Sequence, residues 1–198
     1  MSPAAIGLRA HSGWAAAVAV AGPARRPVVV MRRHIEMRER GAAGPAQPYH
    51  AAAPLEIEEA REFIERCAAD AVALATEGLR GLTEDLRGLG HRASGCGLLL
   101  ASGRPLPPLE RILVSHPLLH TAEGELFRAA LRAGARQCGL LVVEAQEREL
   151  FARAAADLRV TEMAVERHVR LMGKDLGPPW RQDEKLASVA AWLALFAG

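Results

Sequence analysis

Aromatic side chains make up only 4% of this 198-residue chain, and lysine occurs only at Lys174 and Lys185. So few rings exclude a core built on large aromatics, and helices and strands must pack through Leu, Val and Ala. Arginine carries almost all the positive charge, and its enrichment beside Ala, Gly and Leu reads first as a compositional bias of the coding DNA. A formal net charge of +2 is too small for a protein that coats nucleic acid electrostatically. The three cysteines, Cys67, Cys96 and Cys138, form no C-x-x-C pair and sit in apolar surroundings. Free buried thiols in a reducing cytoplasm follow. The longest early apolar run, Trp14 to Ala21, falls far short of the ~20 residues that span a bilayer. No basic segment precedes it as in a secretion signal. A cytoplasmic protein with no membrane partner is expected. No cofactor motif is present.

What is there suffices for one ordinary core, because half the residues are hydrophobic. The segment "AAIGLRAHSGWAAAVAVAG" holds two β-like runs joined at Ser12-Gly13, a tight-turn signal. A second turn, "GPARR", leads into "PVVVMRRHIEM". These three runs predict an antiparallel meander. Residues 38–54 are Gly-, Pro- and Ala-rich and predict a loop, with Pro54 opening a helix. Ala60, Phe63, Ile64, Cys67, Ala71, Leu74 and Ala75 then recur at helical spacing up to the stop at Gly88 and Gly90. "GCGLLLASG" and "CGLLVVE" read as buried strands. Between them come a short helix after Pro108 and a longer one capped by Thr121, with Glu123 and Glu125 as partners of its dipole. Helices over about 146–158, 162–172 and 183–196 complete the chain.

This order, β-β-β-α-β-α-β-α with further C-terminal helices, resembles the ribonuclease H-like fold. The resemblance covers roughly residues 4–158 and rests on element order. It implies an α/β domain over 1–158 with a mixed five-stranded sheet in the order 3-2-1-4-5, strands 1, 4 and 5 being parallel. Residues 159–198 form a helical extension packed on it. The resemblance also implies two divalent metals held by acids on the first strand, the first helix and the end of the fourth strand. The matching positions do not carry them. The first strand, Ile6 to His11, has no acid, and the fourth ends in Ala101-Ser102-Gly103-Arg104. The two-metal nuclease site is therefore expected to be absent. The phosphate hairpin of the related actin-like kinases is unmatched too, since "RAHSGWA" lacks both their acid and their glycine density.

A ligand would then lie beyond the carboxyl ends of the parallel strands. The residues delivered there are His11 and Ser12, then Ser102 and Arg104, then Glu144, with His116, His120 and Glu123 bordering the same crevice. Arg104 is expected to hold an anionic group, a phosphate-containing ligand or nucleic acid. His11 and His120 would handle protons, and Glu144 would orient a histidine. No metal is assigned. His116 precedes Pro117 and is biased to an extended backbone, which takes the His116/His120 pair off a single helix face. His50, beside the sole tyrosine Tyr49, anchors the 38–54 loop or stacks on a ring. A histidine/glutamate hydrolase is one alternative. Another is a DNA-binding regulator, because "AADLRVTEMAVERHV" within 146–172 resembles a bacterial helix-turn-helix. Arg159 stands there where the pattern prefers glycine, and Glu162 and Glu166 would face phosphates. The tail helix 183–196, apolar on more than one face, either docks on the body or forms a homodimer contact.

Overall fold

Three strands open the chain: β1 (Ser2–His11), β2 (Trp14–Ala21) and β3 (Val28–Glu36). The computed structural model describes all residues except 24, 39–45, 102–104 and 174–175. Gly13 takes φ 81°, the left-handed conformation that the two-residue β1–β2 turn requires. There follow α1 (Pro48–Ala52), α2 (Ile57–Gly88), β4 (His91–Leu100), α3 (Leu109–Leu113), α4 (His116–Gln137) and β5 (Leu141–Gln146). After a single 3-10 turn, α5 (Leu150–Leu158), α6 (Glu162–Met172) and α7 (Gln182–Ala197) end the chain. The sheet order is β3-β2-β1-β4-β5. β1 pairs with β2 antiparallel and with β4 parallel, and β4 with β5 parallel. This is the mixed sheet implied by the element order.

Three local expectations change. Pro54 lies in a turn, and Glu56 is the N-cap of α2. The 38–54 segment contains a helix, α1, started by Pro48. The third change matters most. α4 begins at His116, not near Thr121, with Ser115 as N-cap and Pro117 in its first turn. The first-turn amide N–H has no intrahelical acceptor, so a proline there loses nothing. The pre-proline bias was outweighed because His116 occupies only the opening residue of the helix. His116 and His120 are thus i, i+4 on one helix after all.

Side-chain alternation divides the core between the two faces of the sheet. Ile6, Leu8, Cys96 and Leu98 pack with α2 and α4, through Leu79, Leu82, Phe127 and Leu131. Ala5 and Leu99 pack on the other face with α5, α6 and α7. The thiol of Cys96, fully buried, is pushed up to about 12 by desolvation, which makes it a small apolar filler. Every residue of α7 from Leu186 to Leu195 is buried, so its several apolar faces are used within the chain. α5 and α6 cover the side of α7 that the sheet does not. Trp180, ahead of α7, donates from Nε1 to Val169 O at 3.0 Å.

α7 can approach this closely only because β1 and β4 present glycines to it. A Cβ at Gly7 would lie 1.7 Å from Ala187 O, and one at Gly97 2.0 Å from Ala190 O. Backbone atoms cannot give way as a flexible side chain can. Gly97→Ala should therefore destabilise the protein by about 3 kcal/mol or more, the upper end of overpacking costs. Gly81→Ala, with nothing within 4 Å on the exposed face of α2, should stabilise it by about 0.5–1 kcal/mol. Urea denaturation of both variants checks the pair.

Candidate metal centre

α1 is a single turn, and its N-cap, Gln47, makes no side-chain capping bond. Its first amide groups need an acceptor, as at every helix start. Glu123 supplies it from α4. Glu123 Oε1 accepts from Tyr49 N at 2.8 Å and His50 N at 3.1 Å. The same oxygen lies 3.2 Å from Nδ1 of His50. The carboxylate is 1% exposed, and burial pushes its pKa up against these hydrogen bonds. Buried Leu119 and Ala122, with Ile112 of α3, make an apolar cluster around this junction.

The histidines gather on the outer side of that carboxylate. His116, His120 and Glu123 are i, i+4 and i+7 along α4, which aligns them on one stripe. His50 comes in from α1. One ring nitrogen from each of His50, His116 and His120 lies within 4.8 Å of the others. The Nε2 atoms of His116 and His120 are 3.1 Å apart. Two nitrogens bound tetrahedrally to zinc at about 2.0–2.1 Å would sit roughly 3.3 Å apart. Since Nδ1 of His50 turns to Glu123, its Nε2 is left buried and has no hydrogen-bond partner among the described residues. This is the arrangement of a metal-binding imidazole fixed from behind by a carboxylate. Three imidazoles from two helices suit a borderline transition ion and leave a fourth position open. His116 and His120 are exposed and His50 partly so, so that position faces solvent.

The other predicted residues are not brought together here. His11 sits on the α7 face of the sheet, the side opposite α4. It lies 3.1 Å from Asp183 and stacks on Trp14, with ring centroids 4.2 Å apart. Trp14 in turn stacks on His34 at the same spacing. Ser12 is exposed in the β1–β2 turn. Glu144 reaches Arg132 rather than a histidine. Ser102 and Arg104 lie outside the described residues. A single crevice uniting His11, His120 and Glu144 is therefore not formed, because the alternation of β1 sends His11 to the wrong face.

At the carboxyl end of β1 the centre of charge is Arg9. It pairs with Glu147 at 2.9 Å and with Asp183, and the bond from Glu147 outweighs burial in holding the guanidinium above its ordinary pKa. Burial pushes Asp183 up, but Arg9 and His11 together carry it below the usual carboxylate range. The two carboxylates at this strand end are committed to a fixed cation of the protein, which does not fit a pair of hard metal ions. Sequence reading named neither Glu147 nor Asp183, because each follows an element boundary with no motif around it. It also missed His50 as a partner of His116 and His120, since nothing local joins residues 66 positions apart. The i, i+4, i+7 stripe was the available signal.

Comparison with solved structures returns RuvC of Thermus thermophilus, at a TM-score of 0.54 and 12% identity, covering 98% of this chain and 93% of that one. RuvC from the same organism in complex with a Holliday junction substrate matches at 0.49 and 11% identity, covering 98% and 90%. No family model and no curated protein matches the sequence. With the sheet order, the first likeness shows that the chain has the ribonuclease H-like fold.

The strand-end network makes acid stability depend on Asp183. A carboxyl held low in the folded state stabilises above its unfolded pKa of about 3.9, and that contribution is lost as pH falls through the folded value. Asp183→Asn should cost about 1.5 kcal/mol at pH 7, the low end for a charge-assisted bond because both side chains keep some exposure. The gap to the parent protein should close below pH 4 in chemical denaturation series.

Proposed function

We propose that this ribonuclease H-like chain is a metal-dependent hydrolase of phosphate-containing substrates. It would work with one transition-metal ion on His50, His116 and His120 in place of the fold's two-metal carboxylate site. The observation that carries the reading is His50 itself: Glu123 holds its Nδ1, its Nε2 is buried and unpartnered among the described residues, and one of its ring nitrogens lies within 4.8 Å of nitrogens of both His116 and His120. A three-histidine set with an open position is the ligand count of catalytic rather than structural zinc. Such an ion lowers the pKa of bound water toward neutrality and polarises a phosphoryl oxygen.

The chain's own residues have distinct parts in this reading. Glu123 holds His50 in the tautomer that offers Nε2 outward, and binds α1 to α4 so that the three rings keep their spacing. Pro117 and Ser115 start α4 where both exposed histidines fall in its first two turns. The positive end of that helix points toward the site and favours an anionic substrate, beyond the attraction of the ion itself. The site lies at the carboxyl-end edge of β4, where α/β sheets place their ligands, although on the α2/α4 face and not in the β1–β4 cleft.

Zinc titrated into the chelator-treated protein should bind one equivalent by calorimetry. His120→Ala should weaken that binding at least 100-fold while leaving the fold intact, since the ring is exposed. Glu123→Gln should weaken it 10–100-fold, as carboxylate partners of metal-bound histidines do. The metal-free Glu123→Gln protein should also lose the parent's decline in stability as pH rises, because a carboxyl with a raised folded pKa stabilises least once ionised. Hydrolysis of bis(p-nitrophenyl) phosphate should need the metal and vanish in His120→Ala. Absence of stoichiometric zinc, cobalt or manganese binding at micromolar concentrations sinks the proposal.

A further inference from the structure

A cavity of about 350 Å³ lies at the opposite end of the molecule, between the β2–β3 turn, the α5–α6 junction and α7. Arg25 and Arg26 of the turn and Arg159 of the junction line it. None of the three has an ion-pair or hydrogen-bond partner for its side chain among the described residues. Arg9, Arg32, Arg33, Arg61, Arg128, Arg132 and Arg153 all have partners, whereas Arg92, Arg111, Arg136, Arg167 and Arg170 have none among the described residues; what sets Arg25, Arg26 and Arg159 apart is that they line one hollow together. Three unpaired guanidinium groups around one hollow repel each other unless an anion joins them.

Two further features belong to the same hollow. Arg159 has φ 55°, and is the only residue other than glycine with positive φ among those described. A glycine would end α5 there without strain, so the side chain occupies a conformation that disfavours it. The first turn of α6 is the second feature. Thr161 caps it through Ala164 N at 3.2 Å, and Ala164 borders the cavity. The positive end of an 11-residue helix therefore adds to the field of the arginines. The remaining wall is apolar: Leu158, Val160 and Trp192. His168 stands beside Trp192, its Nε2 3.0 Å from Pro27 O.

The geometry points to a binding site for a small phosphate monoester with an apolar or aromatic body. Guanidinium forks match phosphate oxygens in pairs, and the volume reaches the lower range of small-ligand pockets, about 300–1,000 Å³. The apolar wall would receive the esterified group. Duplex DNA is the other phosphate source in view, since α5 and α6 have the helix-turn-helix spacing. Against it, α6 exposes Glu162 and Glu166 beside Arg167 and Arg170, so the helix offers a phosphate backbone no net positive charge. The hollow, half open to solvent and walled on one side by apolar residues, is also of a size for a small ligand.

Phenyl phosphate and inorganic phosphate serve as probes, titrated by calorimetry into the full chain carrying His120→Ala, with chelator present, so that the histidine centre cannot contribute. Phenyl phosphate should bind at least five-fold more tightly than inorganic phosphate. Arg159→Gly should weaken it at least ten-fold while its ligand-free melting temperature stays level or rises, because glycine relieves the left-handed strain. The Arg25→Ala/Arg26→Ala double variant, changed only in an exposed turn, should weaken it similarly. No binding of phenyl phosphate at millimolar concentration, or parent-like affinity in both variants, overturns the assignment. So does a salt-dependent affinity for duplex DNA that exceeds that for phenyl phosphate and falls in the same variants.

Discussion

The contact of α7 with β1 and β4 sets the rest of this molecule. At Gly7 and Gly97 helix backbone lies where a Cβ would stand, so α7 can neither slide nor rotate on the sheet without collision. That fixed register has consequences at both ends of the helix. Its first turn brings Asp183 onto Arg9 and His11 at the carboxyl end of β1. Its far end brings Trp192 beneath α6, where it floors the arginine-lined cavity. The covering of α7 by α5 and α6 follows as well, since a helix buried from Leu186 to Leu195 needs apolar neighbours on both sides.

The opposite face has its own organising group, the carboxylate of Glu123. A buried acid with a raised pKa is a cost that a protein keeps only when other groups use it. Here it caps α1, a helix too short to stand alone. It also turns His50 outward toward His116 and His120. Structural and positioning duties fall on the same oxygen. Oε1 takes every hydrogen bond described, and Oε2 is buried without one among the described residues.

The ribonuclease H-like frame therefore appears here with its strand-end carboxylate position closed by an arginine. Two clusters of ionisable groups stand elsewhere, three imidazoles over one face and three guanidinium groups at the far end. Both clusters sit on connections and helices, not on strands. In α/β folds such segments carry function while the sheet supplies rigidity. Fold and function are separable for that reason, and likeness of the sheet alone does not carry the chemistry with it.

Much of the architecture was legible from residue pattern. Period-two and period-3.6 spacing with Gly and Pro punctuation marked the meander, the long helix α2, both buried strands and α6, and element order then led to the sheet 3-2-1-4-5. The missing acids of β1 were equally plain. Two local misreadings, the start of α4 at His116 and the small helix at Pro48, hid the histidine stripe. Both arose because proline was weighed as a breaker where it served as an opener. The partners themselves were beyond any local reading. Arg9 with Asp183, His50 with Glu123, and Arg25 with Arg159 are each separated by more than 70 residues. Periodicity along a chain reports which side of an element is apolar. Which polar groups meet across elements depends on how helices seat on the sheet, and that is decided by packing in three dimensions.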